Sequence, residues 1–140
     1  MPSLVLEGLS VILPDGWLEH PNPGGPRELR AVADGQTGVL QLSRFPDEQQ
    51  LWFQMQPDLG TVAQVLGTRM GFSDQAATKQ GTCNTGRYGF AMFQGGRFAA
   101  MFLWVTLSDD AVWLWTWLGP DPTSAEAQGA VRVVLGASVA

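Results

Sequence analysis

The sequence predicts an α+β domain in which helices pack against an antiparallel sheet. Three observations lead there. Short runs of branched and aromatic residues fall between turn-forming clusters in both halves of the chain. Two other segments carry apolar residues at helical spacing behind a capping side chain. Their order is strands, helix, strands, helix, which lacks the strict alternation of a parallel sheet. The 140 residues suit a single domain over 1–140, since domains most often run about 100–150 residues. With 45% hydrophobic and 15% charged residues, the composition excludes intrinsic disorder.

The elements follow in order. Residues 10–13 read as a strand, and Pro14-Asp15-Gly16 turns the chain into a second run from Trp17. The Pro/Gly-rich stretch 21–26 is a loop. Residues 28–33 and 38–45 flank Asp34-Gly35, a strong hairpin signal. Residues 51–55 read as another short strand. The first helix is expected from Leu59, Val62, Val65, Leu66 and Met70, with Asp58 as cap and Gly71 past its end. Residues 81–88 form a turn into a strand, with Cys83 a small residue at the strand start. A three-strand meander over 87–93, 97–107 and 111–118 comes next, its turns at Gly95-Gly96 and within Ser108-Asp109-Asp110. After Gly119-Pro120-Asp121-Pro122, Thr123 and Glu126 have capping-box spacing, ahead of a stripe of Ala127, Val131, Val134 and Leu135.

The meander is the most informative stretch, because side chains alternate across a strand and each turn length sets which residues share a face. A two-residue turn at Gly95-Gly96 pairs Phe93 with Phe98, Ala91 with Ala100 and Gly89 with Phe102. One face then carries Gly89, Ala91, Phe93, Phe98, Ala100, Phe102, Trp104, Trp113, Trp115 and Trp117. The other carries Tyr88, Phe90, Met92, Met101, Leu103, Val105, Val112, Leu114 and Leu118. Both faces are apolar, so the aliphatic side belongs under the helices. Two readings of the aromatic side stay open. In one, the amino-terminal strands or a helix cover it. In the other, it remains partly open as a groove, with Gly89, Ala91 and Ala100 leaving hollows beside large rings.

Chemistry is scarce. His20 is the only histidine and Cys83 the only cysteine. No Gly-x-Ser-x-Gly elbow accompanies His20, so a Ser-His-Asp or Cys-His site lacks its framework. Zinc needs about three or four Cys, His or carboxylate ligands, and calcium a dense oxygen cluster. Neither is present in sequence. The run from Gly81 to Tyr88 has P-loop glycine spacing but places Arg87-Tyr88 where Lys-Ser/Thr belongs. Glu7, Asp15, Glu19, Asp47, Glu48 and Asp58 offer carboxylates without a spacing that brings two together in a cleft. No catalytic residue, metal or cofactor is expected. A net charge of −5 argues against nucleic acid. No secretory signal precedes the first strand, and the longest apolar block, 98–105, is far short of the ~20 residues that span a bilayer. A cytoplasmic protein that does not insert in membranes is expected.

Leu13-Pro14-Asp15-Gly16-Trp17, the meander and Gly119-Pro120-Asp121-Pro122 before a terminal helix together resemble the PsbP-like superfamily. That group includes the extrinsic PsbP proteins of photosystem II, DcrB-like lipoproteins, a Ran-binding nuclear import factor and effector-associated chaperones of type VI secretion. The resemblance implies an α/β/α sandwich around an antiparallel sheet and a non-catalytic, protein-binding role. No functional residue is carried over individually. The lead reading is therefore a cytoplasmic bacterial binding protein, an immunity factor or chaperone of a secreted effector. Its partner would dock on Arg87, Phe102, Trp104, Trp113, Trp115 and Trp117, with Arg87 holding a partner carboxylate or backbone oxygen. The alternatives are a small-molecule-binding domain or hydrolase using the same hollow, and a structural homodimer built on the aromatic face.

Overall fold

The computed structural model describes residues 3–31, 38–47, 50–72, 75–94 and 100–140. The predicted turns at Asp34-Gly35 and Gly95-Gly96, and with them Arg97, Phe98 and Glu48, lie outside the described residues.

Strands β1 (Ser3–Leu6) and β2 (Leu9–Ile12) form a hairpin. Its two-residue loop places Glu7 at φ 52° and Gly8 at φ 80°, the mirror-image turn whose twist matches the flanking strands. The turn over Pro14–Trp17 forms as expected: the Trp17 N–H donates to Pro14 O at 3.1 Å and Gly16 has φ 80°. Strands β3 (Trp17–His20), β4 (Arg27–Ala31) and β5 (Val39–Pro46) then pair antiparallel in sequence.

The stretch read as a short strand is instead a one-turn helix, α1 (Leu51–Met55), with Gln50 and Gln56 at positive φ on either side. Five residues are too few for periodicity to separate strand from helix. The deciding contact is remote in kind: Asp47 Oδ2 accepts the Trp52 N–H at 3.0 Å and so supplies a first-turn acceptor.

Helix α2 (Leu59–Arg69) starts where predicted, with Asp58 Oδ1 accepting the Thr61 N–H at 3.1 Å. Gly71 follows at φ 98°. Its buried side is Leu59, Gly60, Ala63 and Gly67. Val65 and Met70, expected in the stripe, are instead exposed.

Strand β6 (Gln75–Thr82) has no counterpart in the prediction. It is an edge strand of mostly polar, exposed residues, so it carries no apolar alternation. Cys83 closes it rather than opening the next strand; its N–H and O both bond Gly86. The meander is β7 (Arg87–Gln94), β8 (Ala100–Leu107) and β9 (Ala111–Gly119). Helix α3 (Ala125–Gly136) is capped by Ser124, whose Oγ accepts the Ala127 N–H at 3.1 Å. That is one residue beyond the predicted cap; the Thr123 hydroxyl donates to Asp121 Oδ1 instead, at 2.7 Å. Strand β10 (Ser138–Val139) ends the chain against β2.

The strands make two antiparallel sheets. Seven strands run in the order β3-β4-β5-β9-β8-β7-β6, and three in the order β1-β2-β10. One face of the large sheet receives α2, whose Leu59 and Ala63 join Ala91, Phe93, Met101, Leu103 and Val105. The opposite face receives α3 and the small sheet. The fold is therefore α+β, with a helix on each side of an antiparallel sheet.

Register corrects the predicted faces. Gln94 pairs with Ala100, Phe93 with Met101 and Ala91 with Leu103, so the β7–β8 connection is longer than a two-residue turn by an odd number. An odd shift swaps every side chain of β7 to the other face. Tyr88, Phe90 and Met92 consequently join the tryptophans, while Gly89, Ala91 and Phe93 lie with the aliphatic side chains. The β8–β9 pairing is as predicted: Phe102 faces Trp117 and Trp104 faces Trp115.

Candidate functional site

The aromatic face is the centre of the protein, not a docking surface. Trp113, Trp115 and Trp117 are at most 1% exposed, Trp104 2% and Phe102 5%. Leu6, Leu9 and Val11 of the small sheet, with Ala127, Ala130, Val133 and Val134 of α3, lie over them. The physical reason is size complementarity: a helix face of Ala, Gly and Val sits close above a layer of large rings. The rings also pack among themselves, Phe102 standing 5.7 Å edge-on to Trp104 and 5.2 Å from Trp117. The Trp115 indole N–H donates to Thr106 Oγ1 at 3.2 Å, and that of Trp113 to Glu7 O at 2.8 Å. Among the described residues, Trp117 Nε1 and Glu126 Oε1 find no hydrogen-bond partner, and both lie beside Gly38.

Arg87 does not join this layer. It lies on the α2 side, where its guanidinium donates to Pro57 O at 2.8 Å and ties down the chain entering the helix. The hollow expected at Gly89 is real but occupied. A Cβ there would stand 2.0 Å from the Leu59 carbonyl, because the first turn of α2 rests on that glycine.

What stays open is the aliphatic face beyond α2. The helix packs chiefly on β7, with lesser contact to β6 and β8, and leaves Leu114 of β9 half-buried and Phe45 of β5 exposed. A cavity of about 260 Å³ lies there, lined by Phe45, Trp52, Val62, Leu66, Val105, Val112 and Leu114. Val62 and Leu66 form one wall, a single helical turn apart on α2. Val112 and Leu114, alternate residues of β9, belong to the other. Phe45 is 53% exposed and Trp52 40%, so two aromatic rings stand at the mouth. Among the described residues, every lining side chain is apolar. At its β8–β9 turn end, the Asp47 N–H donates to Asp110 O at 2.8 Å, which brings Asp47 next to Asp109 and Asp110.

Sequence reasoning missed these residues. The available signal was Trp52 itself, an indole outside the meander between a strand and a helix.

Of the residues considered for chemistry, Glu7 and Glu19 are brought together, on the Arg27 guanidinium. His20 is exposed on the edge strand β3. Glu19 pairs with Arg27, whose hydrogen bond holds its carboxyl below the usual glutamate range, and Glu7 lies 3.7 Å from the same guanidinium. Cys83 is half-buried against the aromatic side of the core. Among the described residues no three His, Cys, Asp or Glu gather as a metal site. No helix among them is long and apolar enough to cross a membrane.

Comparison with solved structures places this architecture. The solution structure of cyanobacterial PsbP (CyanoP) from Synechocystis sp. PCC 6803 matches 96% of this chain and 88% of its own, with a TM-score of 0.66 and 11% identity. The fold is PsbP-like. A crystal structure from Bacteroides thetaiotaomicron VPI-5482 matches 99% of this chain at a TM-score of 0.55 and 16% identity. The chain spans about half, 48%, of that protein. At such identities the likeness is one of fold alone. No family model matches the sequence, and no curated protein does. In this chain the tryptophan layer belongs to the core, and an apolar groove lies between α2 and β9.

Proposed function

We propose that this chain is a non-catalytic protein-binding domain that receives an apolar partner segment in the Trp52 groove. One observation carries the reading: the cavity is open, apolar at every described lining residue and rimmed by two half-exposed aromatic rings. Exposed apolar patches of this kind mark interaction sites, and buried aromatic anchors dominate interface energies. Its volume, about 260 Å³, is below the roughly 300–1,000 Å³ of typical small-molecule pockets. It suits a pair of partner side chains better than a substrate. The role fits the PsbP-like resemblance, with an immunity factor or chaperone of a secreted bacterial effector, working in the cytoplasm, as its form.

The test is site-specific photocrosslinking in the native cell. A photoreactive phenylalanine analogue at position 52 is expected to give a protein adduct of defined mass. The same analogue at position 139, exposed on the small sheet, is expected to give none. Equal labelling from both positions, or none from position 52, would sink the proposal.

A further inference from the structure

We infer that the occupant of the groove is a cationic amphipathic helix of a partner protein. The inference rests on the groove being a protein-binding site and adds what binds there. Val62 and Leu66 are four residues apart on a helix, a rise of about 6 Å. Val112 and Leu114 are two apart on a strand, about 6.8 Å. Both walls therefore repeat at close to one helical turn, ~5.4 Å. Two apolar side chains at i and i+4 of an incoming helix match that spacing, the groove-binding mode of amphipathic helices.

Charge selects among such helices. The Val112 end of the groove opens beside the β8–β9 turn, where Asp109 and Asp110 are exposed. Among the described residues, two cations near that end are held elsewhere. Arg87 is engaged with Pro57 O beneath the α2 entry. Arg44 lies across the sheet, 6.0 Å over the Trp113 ring. The chain as a whole carries −5. Lys or Arg one turn beyond the anchor pair would meet complementary potential, and an acidic helix would be repelled.

Titration calorimetry with designed peptides of about 18 residues, long enough to be helical, tests this. One peptide carries Leu on one face and Lys on the other; its counterpart carries Glu in place of Lys. The Lys peptide is expected to bind, with salt weakening it, and the Glu peptide to bind at least about tenfold more weakly, a difference of ~1.4 kcal/mol. Trp52→Ala should cost the Lys peptide about tenfold through the lost ring contact. Asp109→Asn with Asp110→Asn should weaken it and flatten the salt dependence.

Equal binding of both peptides, lost together in Trp52→Ala, would overturn the charge assignment and leave the groove reading standing. Binding of neither would overturn both. Lys-peptide binding indifferent to Trp52→Ala would mean general attraction to an acidic surface, which also overturns the inference. So would sedimentation of the protein alone as a dimer that Trp52→Ala converts to monomer, since a second copy would then be the occupant.

Discussion

Gly89→Ala tests how α2 is seated, and through it how the groove is built. The new Cβ would stand 2.0 Å from both C and O of Leu59 and 2.6 Å from the Gly60 nitrogen. An ordinary carbon contact needs about 3.5 Å, so α2 must retreat by roughly 1.5 Å. The obstacle is helix backbone, which cannot swing aside as a side-chain tip can. Retreat lifts Leu59 and Ala63, both fully buried, off Ala91, Leu103 and Val105. Overpacking of this kind typically costs about 1–3 kcal/mol, and a rigid obstacle belongs at the upper end. Alanine's lower unfolded-state entropy returns about 0.4–1 kcal/mol. The net loss is then about 2 kcal/mol, or roughly 6–12 °C in Tm for a domain of this size. Urea unfolding followed by far-ultraviolet circular dichroism measures it. Gly136→Ala is the control: among the described residues, its added Cβ meets nothing within 4 Å beyond its chain neighbours and its own helix backbone, so stability should hold or rise by up to ~1 kcal/mol. If Gly89→Ala unfolds at the parent's urea midpoint, α2 does not sit on the sheet as described.

Trp115→Ala should cost about 3–5 kcal/mol, and Trp52→Ala less than about 1 kcal/mol, the usual cost at an exposed position; comparable losses on calorimetric melting would deny the division into core ring and groove ring. Stability should also depend on Glu19. Its folded carboxyl is held low by the Arg27 hydrogen bond, so the unfolded state binds the proton more readily. The contribution is complete above the ordinary glutamate value, about 4.3, and is lost as pH falls through the lower folded value. The pair is 30% and 39% exposed, which keeps the effect within ~1 kcal/mol once solvent screening is counted. Glu19→Gln should flatten the acid limb of the stability–pH curve; an unchanged limb would remove the pair as its cause.

Much of the fold was legible because local chemistry and tertiary packing agree. Asp58, Gly71 and the Pro14-Asp15-Gly16 turn act through their nearest neighbours, and each does what its residue type dictates. Helix α1 and strand β6 were not legible. The first is decided by Asp47 from outside the segment, the second by one hydrogen-bonded neighbour and no buried face. The face assignment failed at one point, the length of the β7–β8 connection, and alternation carried that error along all of β7. The candidate site was misplaced for a further reason. Hydrophobicity names the residues that seek cover but not which of them obtain it. The meander indoles are covered by a helix whose small residues suit them and by the small sheet. The shortfall in cover fell on Phe45, Trp52 and Leu114.

Placement of the six tryptophans has an optical consequence. Trp17, at 6% exposed, is buried with the four meander indoles, while Trp52 alone is open to solvent. Intrinsic fluorescence should therefore divide into a blue-shifted majority that iodide cannot reach and one red-shifted, quenchable emitter at the groove mouth. Nature has left a reporter dye on the surface most in need of a ligand assay, and it responds without any label being attached.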